Sequence, residues 1–239
     1  MKQASRRLAL GLLGAMPVFA RTAFAAATPA KIGMVGAGRM GTPIGTLLAK
    51  AGHEVMFSSR HPENLKALVD GAGSKARAGT VADAVAFGDV IILTLPYSAL
   101  PDLAKEHGKA LAAKRLVIDV GNPYPQRDGE PATIARDVGP GPYVTNLMPG
   151  IKLVRAFNAI NWQKLPEFAA RSEKVAAPIC GDDKAVVALA EALIREIGFE
   201  PVMIGACKTM SKFAMPGSPL DAEHTVEDAK KIVASLPKA

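Results

Sequence analysis

Gly36, Gly38 and Gly41 stand in the spacing G-x-G-x-x-G, with Ala37, Arg39 and Met40 between them. In such a turn the first glycine bends the chain sharply and the second lets a pyrophosphate approach the backbone. The third lets a helix pack closely on a strand, so that the helix N-terminus faces the negative charge. The spacing carries weight only where a strand precedes it and a helix follows. Both flanks are present: Lys31 to Gly36 reads K-I-G-M-V-G, a short apolar β-type run, and a helical pattern continues through Leu47, Leu48 and Ala49 to Gly52. The implied chemistry is dinucleotide binding; a glycine turn serving packing alone is the alternative.

The end of the second strand, His53 to Ser58, decides which dinucleotide. An acid is expected there for the ribose 2′-hydroxyl of NAD, but the chain has Ser59 and Arg60 and no acid until Glu63. A hydroxyl beside a guanidinium suits a 2′-phosphate, hence NADP. His61 could stack on adenine, or be an exposed loop histidine.

These residues must be held by a sheet. Apolar runs at Asp89–Leu95, Leu116–Val120, Leu153–Phe157, Val175–Cys180 and Pro201–Ile204 alternate with helical patterns after Pro62, after the N-cap Thr80 and from Lys184 to Ile197. Regular alternation predicts an α/β fold: a Rossmann-type, doubly wound, mostly parallel sheet with helices on both faces, in a single domain. Four glycines and five prolines between residues 121 and 142 predict an extended loop with one short helix near Ala132–Val138. Met210–Leu220 reads as loop, and Val226–Leu236 as a final helix.

Other chemistries find little support. His53, His61, His107 and His224 read as surface or loop histidines without a paired nucleophile. Cys180 and Cys207 lack metal-type spacing, and no metal site is expected. Cys180 reads as a small core residue; a bridge to Cys207 is open outside the cytoplasm. Asp182 and Asp183 read as a helix N-cap and a first-turn acid.

The chain has 239 residues, 49% hydrophobic and 21% charged, which excludes disorder and leaves ample chain for a core. Its net charge of +7 raises the question of a nucleic-acid partner. Lys2, Arg6, Arg7 and Arg21 supply four of those charges within residues 1–25, which hold no acid, so +3 remains beyond them. No basic run longer than two follows, and no nucleic-acid role is expected. Residues 1–25 read as an export signal: basic residues, an apolar stretch from Leu8 to Ala20 too short to span a bilayer, then Ala23, Phe24 and Ala25 as a cleavage site. Ser5 to Leu10 resembles a twin-arginine signal. The expectation is a periplasmic or exported product without a stable membrane anchor, with an ordinary secretory signal as the alternative. If the signal reading is wrong, the protein is cytoplasmic.

Several motifs in order carry a resemblance. After Gly36–Gly41 and Ser59–Arg60 come Leu93–Tyr97 (L-T-L-P-Y), Asp119–Pro123 (D-V-G-N-P), Val154–Ile160 (V-R-A-F-N-A-I) and Cys180–Asp183 (C-G-D-D). Across residues 30–215 the chain resembles the NADP oxidoreductase, coenzyme F420-dependent family, itself similar to the reductase domain of the STEAP metalloreductases. The resemblance implies that Ala37, Gly38, Arg39 and Met40 surround a pyrophosphate and that Ser59 and Arg60 hold the 2′-phosphate. It places Leu95 and Pro96 along the cofactor, and Asn122, Asn158, Ala159 and Ile160 near the nicotinamide. Two departures stand out. Asn158 lies in the segment where F420-using relatives have His, with Trp162 where a small residue is usual. The region after Gly205 has the Pro216–Pro219 loop instead of an apolar helix. The resulting expectation is an NADP(H)-dependent oxidoreductase passing hydride to a small-molecule acceptor, with F420 or a flavin among the candidates and a homodimer left open. No catalytic side chain is singled out, since hydride transfer asks for alignment more than for an acid. The competing expectation is a non-catalytic NADP-binding or sensing module. The division expected is signal 1–25, Rossmann domain 30–215, and a C-terminal loop and helix 216–239.

Overall fold

A computed structural model describes residues 29–237; the expected export signal lies outside the described residues. Eight strands form one sheet: β1 Lys31–Val35, β2 Glu54–Ser58, β3 Ala76–Gly79, β4 Val90–Leu93, β5 Leu116–Asp119, β6 Leu153–Arg155, β7 Ala176–Gly181 and β8 Glu200–Gly205. Their order across the sheet is β3-β2-β1-β4-β5-β6-β7-β8. The chain therefore winds outward from β1 in one direction and then, from β4, in the other. The crevice at that reversal, at the carboxyl ends of β1 and β4, is where open α/β sheets bind ligands.

Every strand pairing is parallel except β6 with β7, where Val154 faces Gly181 and Arg155 faces Cys180. The expected Rossmann-type sheet is thus observed. The antiparallel step has a consequence for the site: β7, with β8 parallel to it, begins at the edge where β1 to β6 end. There Val175 bridges Thr225 and the Ala176 N–H donates to the His224 carbonyl at 3.1 Å. That contact draws the C-terminal segment toward the crevice.

The helices are α1 Gly41–Lys50, α2 Lys66–Ala72, α3 Val81–Phe87, α4 Leu100–Ala112, α5 Pro125–Asp128, α6 Glu130–Val138, α7 Pro140–Leu147, α8 Leu165–Ala169, α9 Lys184–Glu196, α10 Cys207–Met210 and α11 Val226–Ser235. Thr80 caps α3 as expected, its hydroxyl accepting from the Asp83 N–H while the Asp83 carboxylate takes the Thr80 N–H. Asp183 caps α9 by accepting from Ala185 and Val186; Asp182 precedes the helix, and no acid occupies its first turn.

Three expectations need correction. Residues 121–142 are largely helical, because Pro125, Pro131 and Pro140 sit in first turns, where a missing N–H costs nothing. Gly129 and Gly139, at φ 63° and 100°, make the breaks between these helices. Met210–Leu220 is likewise not all loop, since a turn of 3₁₀ helix spans Ser211–Ala214. His53 is buried: its Nδ1 accepts from the Ala30 N–H at 3.1 Å and its Nε2 lies 2.6 Å from the Glu196 carboxylate. A turn residue between α1 and β2 thereby ties the start of β1 to α9.

The core has two main layers, one on each face of the sheet. One joins α1, α9 and the inward residues of β1, β2, β5 and β7; the other joins α4, α6 and α7 to β4 and β5. A third cluster packs Leu220 and Ala229 on Ala176, Val202 and Ile204, so residues beyond 215 lie on the outer strands.

Candidate active site

The glycine turn is built almost entirely from backbone. Gly36 sits at φ 105°, a conformation that side chains resist, and its N–H donates to Ser58 Oγ, which in turn donates to the Met34 carbonyl at 2.8 Å. Thr94 Oγ1 donates to the Gly36 carbonyl at 2.8 Å, and Thr42 Oγ1 to that of Ala37 at 3.0 Å. Three hydroxyls from three elements thus fix the turn. A Cβ on Gly41 would lie 2.1 Å from the Gly36 oxygen, so this glycine serves close helix–strand packing. A Cβ on Gly38 would meet nothing within 4 Å. No protein atom demands glycine there, and the backbone is open to close approach from the cavity. α1 has no side-chain cap and no acid in its first turn, leaving its N-terminal partial charge uncompensated. Ala37 and Met40 pack on the core beneath.

Ser59 and Arg60 follow β2 at the same sheet edge. Ser59 Oγ accepts from the His61 N–H at 3.0 Å, His61 is exposed beside Glu63, and Arg60 is exposed. Among the described residues Arg60 makes no ion pair. These side chains stand beside the turn and outside the lining of the adjacent cavity.

That cavity, about 860 Å³, opens at the carboxyl ends of β1, β4, β5 and β6. Gly38, Arg39, Met40, Leu95, Pro96, Asn122, Asn158, Ala159 and Ile160 all line it, so motifs about 120 residues apart in sequence converge on one cavity. At its inner end the Asn122 amide donates to the Asn158 carbonyl at 2.7 Å, and the Asn158 amide donates to the Gly121 carbonyl at 2.9 Å. Asn122 Oδ1 is buried without a partner. An orphaned acceptor is costly unless a donor arrives, and the carboxamide N–H of a nicotinamide is such a donor. With the open cradle at Gly38, the residues fit a nicotinamide dinucleotide.

Behind this end lies a polar network with no role assigned from sequence. Arg155, 2% exposed, donates through Nε to Asp119 at 2.9 Å, through Nη1 to the Ser211 carbonyl and through Nη2 to the Gly121 carbonyl at 2.6 Å. Asp119 also accepts from the Tyr97 hydroxyl at 3.0 Å and from the Gly121 N–H at 2.9 Å. Burial pushes the Tyr97 phenol well above its ordinary pKa; the Arg155 charge works against this and the Asp119 charge with it. Opposite charges ending the two adjacent apolar strands L-V-I-D and L-V-R were the readable signal. Two residues after Arg155, Phe157 takes φ 64°, unusual outside glycine, with its ring edge-on to Phe199 at 5.6 Å. The turn this makes carries Asn158 into the cavity wall.

The outer wall comes from later chain: Tyr124 and Arg127 at α5, Trp162 and Gln163 before α8, and Asp221 to Glu223 before α11. Of these, only Trp162 stands out in the sequence, as a departure from the family pattern. The Arg39 guanidinium lies 5.7 Å from the Trp162 ring centre, linking the glycine turn to the 157–163 loop. The two thiols are free and buried; Cys207 donates to the Cys180 carbonyl at 2.9 Å, and burial holds its proton firmly. Among the described residues no three His, Cys, Asp or Glu side chains gather as a metal site requires, and no helix is long and apolar enough to cross a membrane.

Solved structures share this architecture. A hypothetical protein from Sinorhizobium meliloti superposes with a TM-score of 0.70 at 24% identity, covering 82% of this chain and 95% of that one. A protein from Arthrobacter sp. FB24, described as a candidate F420-dependent NADP reductase, gives 0.62 at 23% identity over 75% of this chain and 86% of the other. The 3-hydroxyisobutyrate dehydrogenase of Mycobacterium tuberculosis gives 0.53 at 22% identity, over 77% of this chain and 57% of that longer one. The glycine turn, β1 to β5 and the D-V-G-N-P loop all fall within residues 31–123, the stretch that matches the model of the family described as NADP oxidoreductase, coenzyme F420-dependent.

Proposed function

We propose that this protein is an NADP(H)-dependent oxidoreductase that passes hydride between a nicotinamide at the inner end of the cavity and a small acceptor at its outer end. The observation that carries the reading is the pairing of an open backbone cradle at Gly38 with an unpartnered acceptor at Asn122, both on one cavity. The family match over residues 31–123 and the reductases among the structural neighbours support the same activity.

NADPH, when bound, supplies the hydride. The chain's own residues do the rest. Gly38, Arg39 and the N-terminus of α1 receive the pyrophosphate, and Ser59 and Arg60 receive the 2′-phosphate. Asn122 accepts from the carboxamide, with Asn158 holding the Asn122 loop in place. Leu95, Pro96 and Ile160 exclude water from the reacting face. A flavin or deazaflavin ring is the acceptor class favoured here. We further propose export through the twin-arginine-like signal, with the nucleotide loaded before transport and retained.

Purified mature protein is expected to carry about one NADP per chain and to oxidise NADPH when given an acceptor. An empty preparation that binds NADPH no better than NADH overturns the cofactor assignment. Tight NADP binding without turnover of any acceptor instead favours a non-catalytic binding module.

A further inference from the structure

Trp162 is the chain's single tryptophan, and at 37% exposure it is held less by packing than by a charge. The Arg39 guanidinium lies over its ring, 5.7 Å from the centre. Gly38, Arg39, Trp162 and Gln163 line two cavities at once: the one of about 860 Å³, and a second of about 540 Å³ that runs along α1 past Thr42, Thr46 and Lys50 to Pro166 at α8. The guanidinium and the indole thus stand between the two, beside the glycine whose backbone is open.

Arg39 is exposed, and among the described residues its side chain makes no hydrogen bond and no ion pair, although Asp221 and Glu223 line the same larger cavity. Its donors are uncommitted. A guanidinium whose face rests on an aromatic ring keeps its in-plane N–H groups for an anion, and its long stem has less freedom left to lose when the anion arrives. Next to Gly38, at the uncapped N-terminus of α1, that anion is a pyrophosphate.

The ring is itself held from both sides. Before it, Phe157 turns the chain at φ 64° and the Asn158 carbonyl accepts from the Asn122 amide. After it, the Gln163 N–H donates to Asn161 Oδ1 and the Lys164 N–H to the Asn161 carbonyl, each at 3.0 Å, and Leu165 and Phe168 of α8 are buried. One short loop therefore reaches the inner end of the cavity through Asn158 and the glycine turn through Trp162.

Resting on the reading of this cavity as a dinucleotide site, we propose that Trp162 is a positioning residue for NADP: it acts through Arg39, holding the guanidinium at the pyrophosphate and slowing release of the nucleotide. When the contact between Arg39 and phosphate breaks, the ring keeps the guanidinium in place, and the contact re-forms before the nucleotide escapes. The pair acts on dissociation more than on association. It supplies the retention that a chain loaded before export requires.

The test needs no acceptor. Protein loaded with NADPH is chased with excess NADP, and release is followed by the fluorescence of the bound reduced nicotinamide. Trp162→Ala should release NADPH about five- to tenfold faster with its association rate nearly unchanged, whereas Trp162→Phe, which keeps an aromatic face, should stay within about threefold of the parent. Arg39→Ala should release faster still, since it removes the phosphate contact together with the stack. Adding Trp162→Ala to Arg39→Ala should then change release by less than about twofold, which separates a role through Arg39 from a structural one. A tryptophan effect of full size in the Arg39→Ala background overturns the proposal, as does faster release that comes with a matching loss of thermal stability in Trp162→Ala. If the parent retains NADPH and Trp162→Ala is indistinguishable from it, the dinucleotide reading stands and the positioning role falls. If the parent binds neither NADPH nor NADP, the dinucleotide reading fails and takes the positioning role with it.

Discussion

Residues 31–123 and residues 124–237 build the walls of one cavity by different means. The first half shapes its share with backbone: a glycine at φ 105°, a carbonyl against a missing Cβ, and hydroxyls that tie carbonyls together. The second half contributes side chains, Arg155 from a three-residue strand, Trp162 from a loop, and Asp221 and Glu223 from just ahead of the last helix. Backbone architecture tolerates few residue types and so leaves a pattern in sequence. Side-chain architecture depends on which distant segments topology brings together, and leaves almost none.

The Arg155–Asp119 pair is where the halves are joined, and breaking it should have the largest effect. Arg155→Met leaves the Asp119 charge buried with only the Tyr97 hydroxyl and the Gly121 N–H for company. A loss of about 3–5 kcal/mol is expected in urea unfolding. Adding Asp119→Asn should recover a good part of it, because the stranded charge is then gone. A cost below about 1 kcal/mol for Arg155→Met would mean that the network is not what couples the two regions.

The pair also shows why half of the site was hard to read. Both residues lie inside motifs visible in the sequence, D-V-G-N-P and V-R-A-F-N-A-I, but an aspartate and an arginine 36 positions apart meet only because β5 and β6 are neighbours in register. The sheet itself was legible, since a short, continuous, β-branched run such as V-I-I-L suits a parallel strand buried on both faces. The short edge strand β3, A-R-A-G, has no such signature and gave no signal. The prolines of residues 121–142 misled because a first-turn proline and a loop proline look identical until the helix behind it is seen. His53 misled for a related reason: its partner Glu196 lies 143 residues away.

Within the first half, the cofactor end can be sharpened at Arg60. Its loss removes a charge-assisted contact of about 1.5–3 kcal/mol, so Arg60→Ala should weaken NADP binding about 10- to 100-fold and leave NAD nearly unchanged. Titration of both nucleotides against the variant decides it. Equal losses would mean that Arg60 serves the fold or the shared part of the dinucleotide.

Two glycines in the same turn then separate packing from ligand approach. Gly41→Ala forces a Cβ to 2.1 Å from the Gly36 oxygen and should cost about 1–3 kcal/mol of stability. Gly38→Ala meets no protein atom and should alter stability by less than about 0.5 kcal/mol, yet reduce NADP affinity about tenfold or more. Thermal unfolding measured alongside binding tells the two apart. If Gly38→Ala binds NADP as well as the parent, the backbone cradle is not the pyrophosphate site.

The smallest effect expected is also the most specific to pH. Tyr97 is fully buried, stacks on Tyr143 at 5.7 Å and donates its hydroxyl to Asp119. Tyr97→Phe should cost about 1 kcal/mol at neutral pH, the worth of one hydrogen bond. The phenol holds its proton more tightly in the folded chain than in the unfolded one, so its contribution is fully present below the unfolded pKa of about 10. It is then lost as pH rises toward the folded value, because the unfolded state releases the proton first. The parent's stability should therefore fall more steeply than that of Tyr97→Phe above about pH 10, and the gap between them should narrow. Tyr143, whose pKa burial also raises, is common to both proteins and cancels in the difference. Parallel alkaline limbs would show that the Tyr97 proton is not held by the network at all, and would uncouple the first half's Tyr97–Asp119 contact from the arginine supplied by the second.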